Sequence, residues 1–258
     1  MALTPIIPES QYTNGCIIAY NNLIASSDDT TPADASPKAV IPNTFERWRP
    51  ANGTSTERFN LSAVSDVTCI GIAAHNLSGQ EINIQYSTTN GGGLTTLTTI
   101  RPTSNDPILL VFDAQSMAEV ALNATWAGDR EIGYIFAGNY LQMPIPIYGG
   151  HKPVKLSPDT EYKTNISNTG QFLGRTILRQ GVETDYSFRY LKPSFVRGEF
   201  TDFVNFAKTM PFFIQWRPDL YPDEVAFGYT TDDIDISNGS GGVDLMEASF
   251  KFRGHKDT

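Results

Sequence analysis

Three histidines (His75, His151 and His255) and two cysteines (Cys16 and Cys69) carry all the imidazole and thiol chemistry of this chain. An activated nucleophile needs a hydroxyl or thiol beside a base that a third group orients. No Gly-x-Ser-x-Gly elbow is present. His75 ends an apolar run and precedes Asn76-Leu77-Ser78, the setting of a histidine at a strand end or core rim rather than of a general base. His151 lies in a Pro/Gly-rich stretch and His255 close to the last residue. Neither cysteine has a Cys or His at ligand spacing, so no zinc site is expected. Gly91-Gly92-Gly93 lacks the Lys-Ser/Thr and the strand-to-helix setting of a phosphate loop.

The carboxylates offer more. Taking Asp233 as position one of a calcium loop puts Asp235, Ser237 and Asp244 at positions three, five and twelve. The glycine falls one place late, no helices flank the loop, and Ile234 and Ile236 alternate as in a strand. An acidic hairpin is the plainer reading, and Asp233, Asp235 and Asp244 stay as a calcium candidate. Asp223-Glu224 and Asp232-Asp233 are neighbours in sequence, and nothing sets them across a cleft as glycoside hydrolysis requires. Arg47, Trp48 and Arg49 combine residue types that stack on sugars or anchor interfaces. Trp48 also suits the core of a sandwich, where tryptophan is usually buried. The expectation is a non-enzyme without cofactors, with Arg47, Trp48 and Arg49 as the candidate glycan-binding residues.

Composition narrows the class further. Of 258 residues, 40% are hydrophobic and 18% charged, and the net charge is −9. The charged share is below the ~25% of an ordinary soluble domain, so Thr, Ser, Asn and Gln must supply much of the polar surface. An acidic chain is a poor nucleic-acid or anionic-membrane binder. No run of 18 apolar residues spans a bilayer, and the first residues lack the basic and apolar regions of a secretory signal. Without such a signal the cysteines read as reduced, buried thiols.

The elements that must position these residues are mostly strands. Residues 1–40 read as a leader and arm, with an apolar stretch at Cys16–Tyr20 and a Ser/Asp/Thr/Pro-rich segment at Ser26–Pro37. Strands are predicted at Glu57–Leu61, Val67–Ala74, Glu81–Ser87, Leu94–Ile100, Ile108–Phe112, Glu119–Thr125 and Glu131–Gly138, separated by Gly, Asn and Pro. Ile82, Ile84 and Tyr86 alternate with polar residues as one buried face would. This is a β-sandwich pattern over residues 41–142. Met143-Pro144-Ile145-Pro146 and Gly149-Gly150 suggest a linker at 143–152. Residues 153–258 then read as a smaller β domain with one helix at Ser194–Thr209, whose apolar stripe includes Phe195, Phe200, Phe203 and Phe206. Ser194, after Pro193, is a candidate N-cap. Strands follow at Pro211–Trp216, Glu224–Tyr229 and Val243–Arg253, after earlier ones at Gly174–Leu178 and Asp185–Tyr190.

Two resemblances accompany this reading. Asn43 to Leu77, a Trp-bearing loop followed by Ile70-Gly71-Ile72-Ala73-Ala74-His75-Asn76, resembles the opening of discoidin-like, carbohydrate-binding jelly rolls. Gly174 to Gly254, strands followed by a Phe-rich helix and Phe212-Phe213-Ile214-Gln215-Trp216, resembles the tail-tube-like domain of bacteriophage tail and baseplate proteins. Distal tail proteins are similar, joining such a domain to a jelly-roll sandwich, although here the sandwich comes first. The resemblance implies a virion structural protein of a tail tip or baseplate, made in the host cytoplasm. It also implies a ring-forming homo-oligomer, commonly a hexamer, that contacts other tail proteins. The sandwich would project outward, either bracing the particle or touching host glycans. Carbohydrate binding for host attachment is the alternative function.

Overall fold

The computed structural model describes residues 15–28, 36–239 and 244–256. The fold is mostly β, with two antiparallel sheets and a short bent helix. The first sheet is built on two very long strands, β3 (Gly53–His75) and β6 (Ile108–Trp126). With β2 (Ile24–Ser27), β4 (Ile82–Ser87) and β5 (Thr95–Ile100) they form the order β2-β3-β6-β4-β5, and β7 (Ile132–Gly138) pairs with the second half of β3. The predicted pairs Glu57–Leu61 with Val67–Ala74, and Ile108–Phe112 with Glu119–Thr125, are thus two halves of single strands. Register shifts between Asn60 and Ser65 and between Val67 and Cys69 hide the join, because each bulge breaks the alternation of buried and exposed positions. These bulges let β3 and β6 bend together round the core. Trp48, bridged to Ile132 beside β7, therefore reaches Phe59 and Trp126 at the other end of the strands.

The uncharged polar composition is spent on the outer face of this sheet. Thr56, Asn123, Asn83 and Thr99 stand opposite one another across β3, β6, β4 and β5. Asn123 Nδ2 donates to Thr56 Oγ1 at 2.5 Å, and Thr99 Oγ1 donates to Asn83 Oδ1 at 2.6 Å. Such cross-strand pairs each stabilise a sheet by about 0.2–1 kcal/mol. The glycine tip is held as well. Fully buried Glu119 accepts hydrogen bonds from Arg58 and from the Gly91 N–H, and Gly91 adopts a φ of +71° that favours glycine.

The second sheet contains β1 (Ile17–Ala19), β8 (Tyr140–Gln142), β9 (Pro158–Ile166), β10 (Phe172–Leu191), β11 (Phe212–Gln215), β12 (Val225–Thr230) and β14 (Met246–His255). Their order is β8-β1-β11-β12-β14-β10-β9, and β13 (Asp235–Asn238) pairs on β14. Two sequence expectations are corrected here. Residues 17–19, placed in an N-terminal arm, are a fully buried strand between β8 and β11. The stretch 143–152, expected as a linker, is tied down in its first half: Met143 is buried, Ile145 and Ile147 pack on the second core, and the Met143 N–H donates to the Cys16 carbonyl, whereas Pro144, Pro146 and residues 148–150 are exposed. Most of the Ser26–Pro37 segment lies outside the described residues.

The middle of the second sheet is buried on both faces. Phe212 and Ile18 join the core beneath the helix, whereas their neighbours Phe213 and Ile17 join the core of the first sheet. A strand enclosed on both sides reads as a continuous apolar run, as Phe212-Phe213-Ile214 does. The helical segment runs through α1 (Pro193–Phe195), a wider turn at Val196–Phe200 and α2 (Thr201–Ala207). Gly198, at φ −105° and ψ −112°, bends it. Pro193 takes the first helical position after Lys192, so Ser194 is inside the helix and is not its cap. Phe203 closes over Phe212 and Phe250, with Phe200 packed beside it. Three layers result: first sheet, second sheet and helix.

Candidate functional site

The structure disperses the sequence candidates for ligand binding. Trp48 is 2% exposed, with its ring 5.7 Å from Phe59 and 5.8 Å from Trp126, both edge-on. No sugar ring can stack on it, so the structural role of Trp48 replaces the binding one. Arg47 and Arg49 converge on Glu131, at 3.3 Å and 2.7 Å, and the Glu131 N–H donates to Asn76 Oδ1. Those arginines fasten the loop before β3 to the start of β7.

The calcium candidate also separates. Asp235 lies in β13 opposite Ser249, with Asp233 and Asp244 exposed on the flanks. Among the described residues no three His, Cys, Asp or Glu side chains come together as a metal site would need. His75 is fully buried. Its Nδ1 accepts the Leu77 N–H, which leaves Nε2 to donate to the Asp106 carbonyl at 2.9 Å, so it ties β3 to the loop before β6. Glu224 accepts the indole N–H of Trp216.

Two surface features remain, and neither was apparent from spacing. The first is the distal half of β9 and β10. From Gly181 onward β10 pairs with β14, but from Phe172 to Gln180 its only partner among the described residues is β9. A two-stranded ribbon therefore extends past the sheet by about 30 Å, at ~3.4 Å per residue. Tyr162, Ile166, Phe172, Leu173, Ile177 and Leu178 are exposed along it, with Phe172 at 68% and Leu173 at 66%. An isolated ribbon is marginal in water, and apolar side chains on both faces need cover. Between Thr160 and Gln180 it carries Lys163, Arg175 and Arg179 against the single acid Glu161. β9 was missed in the sequence because a strand exposed on both faces shows no apolar alternation.

The second feature is a groove of about 620 Å³ between the loop at Pro42–Phe45, the ribbon base at Arg179–Gly181, the end of α2 and the ends of β12 and β14. Its ionisable lining residues are Arg179, Lys208, Tyr229, Arg253 and His255, with no Asp or Glu. Arg179 pairs with Glu161 at 2.7 Å and Arg253 with Asp159, both acids lying outside the lining. At its mouth Phe45 is 93% exposed. A built turn holds it there: Asn43 Oδ1 accepts the Phe45 N–H at 3.1 Å and the Glu46 N–H at 2.8 Å. The sequence signal for this ring is the Asn43-Thr44-Phe45-Glu46 turn that directly precedes Arg47.

Among the described residues no helix is long and apolar enough to cross a membrane. No family model matches the sequence, and no curated protein matches it. Solved structures match part of it. Chitosan-binding module 1 of a chitosanase/glucanase from Paenibacillus sp. IK-5 is 18% identical over 46% of this chain and 99% of its own, with a TM-score of 0.39. Chitosan-binding module 2 of the same enzyme, in complex with chitotriose, is 22% identical over 47% of this chain and 98% of its own, at 0.38. CBM32-1 of a family 31 glycoside hydrolase from Clostridium perfringens is 11% identical over 46% and 99%, at 0.40.

Proposed function

We propose that this chain is a non-catalytic structural protein that self-associates through the β9–β10 ribbon, as a ring-forming component of a virion tail tip or baseplate. The observation that supports this reading is the ribbon itself. It is a two-stranded extension, apolar on both faces, with three bases and one acid, on a chain whose net charge is −9. A surface of that kind gains by burial, and the acidic body of a second copy complements its charge. Ring closure would also cover the exposed edge of β9, which otherwise invites uncontrolled strand pairing. The resemblance of residues 174–254 to tail-tube-like domains supplies the virion assignment.

The test is the mass of the full-length chain in solution by light scattering, with imaging of the particles. A discrete oligomer is expected, reduced to monomer by Phe172→Asp with Leu173→Asp, two exposed positions whose change leaves the fold intact. A wild-type chain that stays monomeric at tens of micromolar would sink the reading.

A second reading, glycan binding for attachment, is favoured by the groove beside Phe45, which presents an aromatic ring and convergent polar groups in one concavity. The two surfaces meet at the ribbon base, where Arg179 belongs to both, and the readings are compatible in one molecule.

A further inference from the structure

We propose that the groove between Phe45, Lys208 and Tyr229 binds an acidic oligosaccharide, with uronate-type carboxylates as the charged groups. This rests on the glycan reading above and gives it a site and a ligand class. Three observations carry it.

The first is shape. At about 620 Å³ the groove falls within the ~300–1,000 Å³ of small-ligand sites, and it lies where the loop before β3 meets the second sheet and the end of the helix. The second is the placement of the aromatic rings. Phe45 stands 93% exposed on a turn locked by Asn43, and Tyr229 is 51% exposed on β12. Packing does not explain an apolar ring pinned in water at the lip of a groove; a ligand whose flat apolar face covers it does. The third is charge. The lining of the groove holds the cations Arg179, Lys208 and Arg253 and no carboxylate, in a protein with net charge −9. Asp159 and Glu161 fix two of the guanidinium groups from outside the lining, which orients their remaining N–H donors. Lys208 Nζ has Asn205 Oδ1 at 3.2 Å as a neutral partner, so its charge is available to an anion. A neutral glycan would use the rings and leave the Lys208 charge without a counterpart. An acidic one uses both.

The experiment is affinity electrophoresis of the full-length chain through gels containing polygalacturonate or dextran. Polygalacturonate is expected to retard the wild type, dextran is not, and the retardation is expected to fade with added salt. Phe45→Ala and Lys208→Gln are each expected to weaken binding by about tenfold, the loss typical of one good contact. Both positions are exposed, so an unchanged melting curve serves as the check on folding. Retardation by polygalacturonate that survives both changes would leave the glycan reading standing and overturn the groove. Retardation by dextran alone would overturn the ligand class. No retardation by any polysaccharide would remove the glycan reading as well. A change in oligomeric mass on Phe45→Ala, without a change in retardation, would assign the groove to a second copy of the chain and overturn the proposal.

Discussion

Gly71 of β3 faces the ring of Phe213 of β11 so closely that a Cβ on residue 71 would lie 2.8 Å from two of its carbons. The contact belongs to a seam in which Tyr134 stacks on Phe213 and Phe227, with centroids 6.1 Å and 5.0 Å away. Only a residue without a side chain fits there, where the two sheets pack together. Gly71→Ala is therefore expected to destabilise the chain by about 1–3 kcal/mol, the range for overpacking a filled core. Phe213→Leu in the same chain should restore part of that loss, since the two residues touch and their effects are not additive. Urea unfolding followed by tryptophan fluorescence gives both numbers. Equal losses in the single and double variants would remove the seam as the cause.

Trp48→Ala is expected to cost about 3–5 kcal/mol, because it empties a site enclosed by Phe59 and Trp126. Arg49→Gln, at a side chain 57% exposed and paired with Glu131, should change stability by less than about 1 kcal/mol. Comparing the two urea midpoints separates the core role from a binding role. A Trp48→Ala chain as stable as wild type would contradict the burial described here.

The extent to which the sequence revealed this molecule follows from where each segment faces. Ile82–Ser87 alternates because one side meets core and the other water, and it was legible almost to the residue. Phe212–Gln215 was legible as an apolar run, but nothing in the run says that Phe212 and Phe213 enter different cores. Ile17–Ala19 pairs with residues 213–215 and 140–142, partners far away in the chain, so local reading left it in an arm. The candidate site failed for a related reason. Arg47, Trp48 and Arg49 are the right residue types, but burial decides their use, and the indole turns inward while its neighbour Phe45 turns out.

Both thiols are expected to be silent in the folded chain. Cys16 and Cys69 are fully buried in different cores, and burial pushes each thiol well above its ordinary range. Cys69 Sγ also donates to the Gly138 carbonyl at 3.3 Å. The thiolate is the reactive form, so a disulfide exchange reagent at pH 8 should find no thiol in the native chain and two in denaturant. Rapid native labelling of either cysteine would show that its core opens to solvent.

Acid should weaken the fold through His151. Its ring lies 4.8 Å from Tyr186 and 5.3 Å from Trp216, and Nδ1 donates to the Asp185 carbonyl at 3.2 Å. Burial lowers its pKa below the ordinary 6.5, outweighing the opposing pull of the Asp185 carbonyl and of Glu224. Below pH 6.5 the unfolded chain thus takes up a proton that the folded chain still refuses. The stability contributed by the neutral ring is complete above pH 6.5, and it falls as the pH drops toward the lower folded value. His151→Phe keeps an aromatic ring between Tyr186 and Trp216 and cannot titrate. Urea midpoints at pH 7.5 and 5.5 should therefore drop further in the wild type than in this variant. Equal drops in both would place the acid sensitivity on the carboxylates and clear His151 of it.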